Sequence, residues 1–313
     1  MMPATTTQTM PLSAEEREAE RTLLESFVRY WSAHANDDLR TTYDGFIAAT
    51  PPAADVIAVA VHDGEISGWW LLPPGQERAG DAAILYLHGG AYVLGSATAY
   101  RHFASQIAAR TNRPVFVLDY PLAPEHAMPA AHDTAVAAAQ WLARSGVQRL
   151  AVIGDSAGGG LSLSVLATLT RASTAGEQSV PTLAAGAMFS PWTDLSLCSP
   201  SMTDPAIRDV LLTRAYLADS AEKYLGFAAP TDPMASPLFG IPAGMPPLYI
   251  QVGSEELLRD DATRYAQQAR EQGNTVSVEI WEGLHHVFQF NVVELASARS
   301  ALDRVAGFLT GRL

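Results

Sequence analysis

Apolar positions along this chain fall into two rhythms. Between 14 and 34, Leu23, Leu24, Phe27, Val28 and Trp31 recur at three- and four-residue intervals, which predicts an amphipathic helix over Ala14–His34. Ser13 and Glu16 stand where a capping box would close its first turn. Val56–Val61 and Ile66–Leu72 read as strands joined at Asp63-Gly64, a hairpin. Further on, short unbroken apolar runs alternate with helical patterns. Strands are predicted at Ala83–Leu87, Pro114–Leu118, Leu150–Ile153, Ala184–Phe189, Leu248–Val252 and Val276–Trp281. Helices are predicted at Tyr100–Thr111, Ala130–Ser145, Leu161–Thr170, Asp260–Gln272 and Ala296–Leu309. Strands apolar on both faces, alternating with helices, predict an α/β fold: a mostly parallel central sheet flanked by helices on both faces.

One stretch breaks the alternation. Residues 195–245 hold many prolines, one helical piece (Thr213–Tyr224) and no strand pattern, so they read as an insertion above the sheet. The expected organisation is an N-terminal leader and cap helices over 1–50, a core in two parts over 51–194 and 246–313, and a cap insertion over 195–245. The first ten residues are expected to form a disordered leader. The strand Val276–Trp281 is expected at an exposed edge, where it would invite a second copy of the chain into a homodimer.

Composition narrows the partners. The 313 residues are 48% hydrophobic and 17% charged, suited to a large core, and the net charge of −13 argues against nucleic acid or an anionic membrane surface. Cys198 is the only cysteine, which excludes an internal disulfide and fits a reducing cytoplasm. The N-terminus lacks the basic and apolar regions of a secretion signal, and no apolar run approaches the ~20 residues of a membrane span.

The candidate chemistry sits between a strand and a helix. Gly154-Asp155-Ser156-Ala157-Gly158 matches G-x-S-x-G, in which a serine on a sharp strand-to-helix turn presents its hydroxyl beside a helix N-terminus. Small flanking residues let the turn pack against its neighbours. Upstream, His88-Gly89-Gly90-Ala91-Tyr92 follows a buried strand, as does the loop that supplies oxyanion-holding amides on this kind of site. The donors would be Gly90, Ala91 and Ala157, with Gly89 close by. The imidazole of His88 is read as structural, bridging backbone groups in its loop.

Serine needs a base to take its proton. His285 and His286 follow the strand at 276–281, and His286 is preferred; His102, His126 and His132 are expected to be structural or on the surface. The acid that orients the base belongs in the loop after the preceding strand. Glu256 fits best, Glu255 is second, and Asp260 and Asp261 suit the start of the next helix.

His88-Gly89-Gly90, Asp119-Tyr120-Pro121-Leu122-Ala123-Pro124-Glu125, Gly154-Asp155-Ser156-Ala157-Gly158-Gly159 and His286-Val287-Phe288 occur in this order. Together, over roughly 80–310, the chain resembles the hormone-sensitive-lipase-like family of α/β-hydrolase esterases. The resemblance implies an α/β-hydrolase fold, hydrolysis of small carboxylic esters, no cofactor or metal, and a helical cap over the pocket. It also places the acid on Glu256, where many members carry aspartate. Two further departures are Pro121 in place of arginine, which removes any ion pair that arginine makes, and Ala91 in place of a third glycine.

Expected pocket walls are Tyr92, Leu94, Asp155, Trp192 and Leu212, with Phe27, Trp31, Met202, Ile207, Leu211, Tyr216 and Phe227 as further apolar candidates. Two other enzymatic readings share the triad: a lactone hydrolase of the monoterpene-lactone type, and an amidase or peptidase. A non-catalytic ligand-binding protein is disfavoured because the histidine is retained.

Overall fold

The structure, a computed structural model, describes residues 5–76, 78, 80–177 and 180–313. Its elements in chain order are β1 (Thr6–Met10), α1 (Ala14–Ala33), α2 (Leu39–Ala48), β2 (Ile57–Asp63), β3 (Ile66–Leu72), β4 (Ala82–Leu87), α3 (Ala97–Thr111), β5 (Val115–Leu118), α4 (Ala130–Arg144), β6 (Arg149–Asp155), α5 (Ser156–Thr174), β7 (Thr182–Phe189), α6 (Arg214–Leu225), β8 (Leu248–Gly253), α7 (Arg259–Glu271), β9 (Val276–Trp281) and α8 (Ala296–Thr310).

The apolar runs do what their composition demands. Every residue of β4, β5 and β8 is buried, and helices cover both faces. Apolar residues of α4, α5 and α7 pack one face, and those of α3 and α8 pack the other. Among the described residues the strands form one sheet in the order β1-β9-β8-β7-β6-β4-β5-β3-β2, with only the β2/β3 and β3/β5 pairs antiparallel.

That order positions the site. In β4 the chain reverses its direction of travel across the sheet, with β5 on one side and β6 on the other. Ligands bind at the carboxyl ends of strands around such a reversal, because the following loops diverge and leave a crevice. Here the carboxyl ends of β4, β6, β7, β8 and β9 lie side by side.

Four expectations are corrected. Within the first ten residues, Thr6–Met10 is a strand and no disordered leader, while residues 1–4 lie outside the described residues. This strand pairs in parallel with β9, Thr6 opposite Ser277 through Met10 opposite Trp281, so the edge expected to recruit a second copy is covered from within the chain. The capping box closes by half. Ser13 Oγ accepts from the Glu16 amide at 3.1 Å, but the Glu16 carboxylate instead accepts from the amide (2.6 Å) and hydroxyl (2.9 Å) of Ser297 in the first turn of α8. The helix expected from Leu161 begins at Ser156 itself. A further helix, α2, was not read from the apolar spacing; Asp38, accepting from the Thr41 amide at 2.8 Å, is the cap that marks its start.

Candidate active site

Ser156 is the first residue of α5, and its φ of +54° places it in the left-handed region that non-glycine residues avoid. Glycine at 158 lets α5 approach β4 very closely, since a Cβ there would lie 2.1 Å from the Leu87 carbonyl oxygen. Ala157, second in the helix, carries one of the first-turn amides that have no intrahelical acceptor.

Pairing of β4 with β6, Leu87 opposite Gly154, sets the Gly89–Ala91 loop beside this turn. Backbone φ values of +107° at Gly90, +53° at Ala91 and +65° at Tyr92 carry the loop through a left-handed bend. Gly90 and Ala91 line the same cavity as Ser156. Gly89 is corrected here as an oxyanion donor, because its N–H is already given to Asp155 Oδ1 at 3.0 Å. The same carboxylate accepts from the Tyr86 hydroxyl (2.6 Å) and the Tyr100 hydroxyl (3.1 Å), and Tyr100 is hydrogen-bonded to Tyr43 of α2 at 2.7 Å. Burial pushes the Asp155 carboxyl up to about 6; the hydrogen bonds from Tyr86, Tyr100 and Gly89 and the proximity of His286 hold it from rising further. His88 is buried, stacked on Tyr120 at 4.2 Å, with Nδ1 2.8 Å from its neighbour's carbonyl, Gly89 O. Its burial lowers its pKa, against the opposing pull of the Gly89 carbonyl and of Asp119 and Asp44.

Across the sheet, the loops after β7, β8 and β9 converge. His286 Nδ1 lies 2.6 Å from Glu256 Oε2, and Glu256 is fully buried. The other carboxylate oxygen, Oε1, accepts from the Gly253 amide and the Ser190 hydroxyl, both at 2.7 Å. Ser190, at the end of β7 with φ +48°, also accepts from the Val287 amide at 3.1 Å, so one hydroxyl joins the acid to the histidine loop. Burial would lower the imidazole pKa of His286. The charge and hydrogen bond of Glu256, with smaller contributions from Asp209 and Asp155, outweigh it and leave the pKa above the ordinary value.

The alternative residues lie elsewhere. His285 Nδ1 contacts Glu20 of α1 at 2.7 Å, His132 sits between Asp133 and Thr168, His102 meets the Ala48 carbonyl, and His126 is exposed. Glu255 is bonded to Ser254, Asp260 to Arg259, and Asp261 accepts the Thr193 and Asp194 amides. Among the described residues, no group of His, Cys, Asp and Glu is arranged to hold a metal, and no helix is long and apolar enough to cross a membrane. Glu125 is held by Arg40 of α2, which grips its carboxylate at 2.9 and 2.7 Å and also donates to the Val93 and Ala123 carbonyls.

Ser156 and His286 open on a cavity of about 440 Å³. Of the expected walls, Leu94, Asp155, Leu212, Trp31, Leu211 and Tyr216 line it. Tyr92 and Trp192 do not. The Tyr92 ring is stacked on Tyr224 at 3.7 Å, and the buried Trp192 indole donates to Asp194 O at 3.2 Å; both support the loop from behind. Met202 and Ile207 are buried away from this cavity, Phe227 faces solvent, and Phe27 lines a neighbouring cavity of about 310 Å³ that shares His286. Tyr43, Phe46 and Ile47 also line the main cavity; sequence reasoning missed them because it missed α2. Ser190 and Asp209 were missed as well, since neither carries a motif.

A family model described as alpha/beta hydrolase fold matches residues 84–290. An acetyl-hydrolase of Streptomyces hygroscopicus is 38% identical over 82% of this chain and 83% of its own length. An ethyl acetate hydrolase of Pseudomonas putida is 30% identical over 77% of each chain. A crystal structure described as an esterase from the bacterial hormone-sensitive lipase family superposes with a TM-score of 0.84 at 33% identity, covering 97% of this chain and 99% of that one.

Proposed function

The chain belongs to the hormone-sensitive-lipase-like family of α/β-hydrolase esterases, and from that premise we propose that it is a serine carboxylesterase that cleaves short- to medium-chain carboxylic esters through an acyl-enzyme. One observation carries the reading: the buried 2.6 Å bond between His286 and Glu256, in the wall of the cavity onto which Ser156 opens.

The chemistry follows from the placement of each group. Neutral His286 takes the proton of Ser156 as Oγ attacks the acyl carbon. Glu256, bonded to Nδ1, keeps that nitrogen protonated, leaves the other free to act, and stabilises the imidazolium as it forms. Negative charge developing on the carbonyl oxygen is met by the amides of Gly90, Ala91 and Ala157, aided by the N-terminus of α5. His286 then gives its proton to the departing alkoxide. Water, deprotonated by the same ring, attacks the acyl-serine and returns the enzyme with a carboxylic acid as product.

The substrate reading rests on the cavity. About 440 Å³ with mainly apolar walls from α1, α2 and residues 210–216 suits an acyl or alcohol chain of a few carbons, and among the described residues no lysine or arginine lines it to recruit an anion. These wall segments act as the cap. The lactone alternative draws no support from the relatives' names.

The test compares wild type with Ser156→Ala on p-nitrophenyl acetate and butyrate. The variant is expected to lose on the order of 10⁴-fold or more in kcat and to resist labelling by a fluorophosphonate. Full turnover by the alanine variant would sink the proposal.

A further inference from the structure

Asp209 stands in the segment between β7 and α6, just before three residues that line the cavity, Val210, Leu211 and Leu212. Its side chain is half-buried, and both carboxylate oxygens are committed. Oδ1 accepts from the amides of Leu211 (2.9 Å) and Leu212 (2.8 Å), and Oδ2 accepts from the amide of Leu257 at 3.0 Å. Leu257 directly follows Glu256. One side chain therefore fixes the wall of the pocket and the loop that carries the acid, two segments about fifty residues apart in the chain.

We propose that Asp209 is a positioning residue for hydrolysis: it holds Leu211 and Leu212 in register with the Glu256 loop and, through its bond to the residue after Glu256, keeps a second carboxylate close to the His286–Glu256 pair. This rests on the assignment of His286 and Glu256 above. Two consequences separate it from an ordinary loop cap. The anion favours the protonated ring, so losing it should make His286 easier to deprotonate. The wall it fixes contacts the substrate chain, so losing its geometry should change chain-length preference.

A mere shape-holding role predicts only the second effect. The charged groups whose fields bear on His286 are Glu256 from the loop after β8, which is bonded to it, then Asp209 from the inserted segment and Asp155 from the end of β6. Asp155 itself titrates near about 6, but it is present in every variant and contributes equally to each profile. Burial raises the pKa of Asp209 itself, while the field of His286 and the amides of Leu257 and Leu212 oppose the rise.

Three variants of the full chain divide the roles. Asp209→Asn keeps an oxygen for Leu211 and Leu212 but turns an NH₂ toward the Leu257 amide, donor against donor, and removes the charge. Asp209→Ser keeps one short acceptor and removes the charge. Asp209→Glu keeps the charge and displaces it. The readout is the pH profile of kcat/KM on p-nitrophenyl butyrate, with KM across acetate, butyrate and hexanoate.

For the uncharged variants the acidic limb is expected to move to lower pH by roughly half a unit or more, less than the 1–3 units of a directly paired charge. The glutamate variant should keep the wild-type limb within about 0.2 unit while its KM series changes order, a split that separates charge from shape. An unmoved limb in a folded Asn or Ser variant overturns the proposal, as does an equal shift in all three. Failure of both uncharged variants to fold also overturns it, since the residue would then be a strut of the core. The parent assignment is checked separately: if Ser156→Ala remains active, or wild type shows no acidic limb, that reading has failed, whatever the Asp209 variants do.

Discussion

Replacing Glu256 by glutamine tests the assignment of the acid with an almost isosteric change. The environment dictates how the amide must sit. Oε1 accepts from Gly253 N–H and from the Ser190 hydroxyl, so that corner must remain an oxygen. The NH₂ is then forced to the other corner, 2.6 Å from His286 Nδ1 in the parent geometry. A donor there requires Nδ1 to accept, which puts the ring proton on the nitrogen that should take the proton of Ser156. Charge is lost as well. At ~4 Å between charge centres and an effective dielectric of ~20, the attraction removed is about 4 kcal/mol, or roughly three decades in rate. With the wrong tautomer added, kcat on p-nitrophenyl butyrate is expected to fall on the order of 10⁴-fold. Glu256→Asp keeps the charge but withdraws it by one methylene, and about a 10²-fold loss is expected from displacement of ~1 Å. The measurements are steady-state kcat at pH 8 with a thermal melt of each variant. A folded glutamine variant within tenfold of wild type would refute the reasoning and move the acid elsewhere.

Gly89→Ala would put a Cβ 2.3 Å from Asp155 Oδ2, so the carboxylate that pins the oxyanion loop must shift; kcat should drop about 10²-fold with KM little changed, and an unchanged kcat would show the loop does not depend on that contact. Asp261 is pushed up to about 7 by burial, against the hydrogen bonds it accepts from Ser199, Thr193 and Asp194. Between about pH 4 and 7 the folded protein therefore holds a proton that the unfolded chain has released, so this group's contribution to stability declines as pH rises through that window. Asp261→Asn should flatten that decline, by up to a few kcal/mol, in urea melts at pH 5 and 8; identical slopes in the two proteins would exclude the group as its source. Deleting residues 1–10 uncovers β9, and the shortened protein is expected to associate in size-exclusion chromatography with light scattering; mass and elution matching a monomer would mean the edge is protected some other way.

Local chemistry wrote most of the architecture and the strand-to-helix turn at Ser156 into the sequence. Continuous apolar runs and the helices between them announced a parallel sheet, since a strand covered on both faces has no polar side to show. The Ser156 turn was legible because its constraints are local: residues two apart must be small where helix and strand nearly touch. Glu256 and His286 were legible from their places after successive strands, and their bond required only that β8 and β9 be neighbours.

What the tertiary structure alone decided involves groups distant in the chain. No spacing rule could show that the Gly89 amide is taken by Asp155, that Arg40 holds Glu125, or that the Tyr92 ring turns to Tyr224 rather than to the cavity. Nor could periodicity show that Thr6–Met10, a polar stretch with little apolar content of its own, becomes a strand because β9 offers it a row of unpaired backbone groups. Side-chain period reports which face of an element is buried. It does not report which distant donor meets which acceptor, and in this protein those long-range hydrogen bonds set the shape of the pocket and the posture of Glu256.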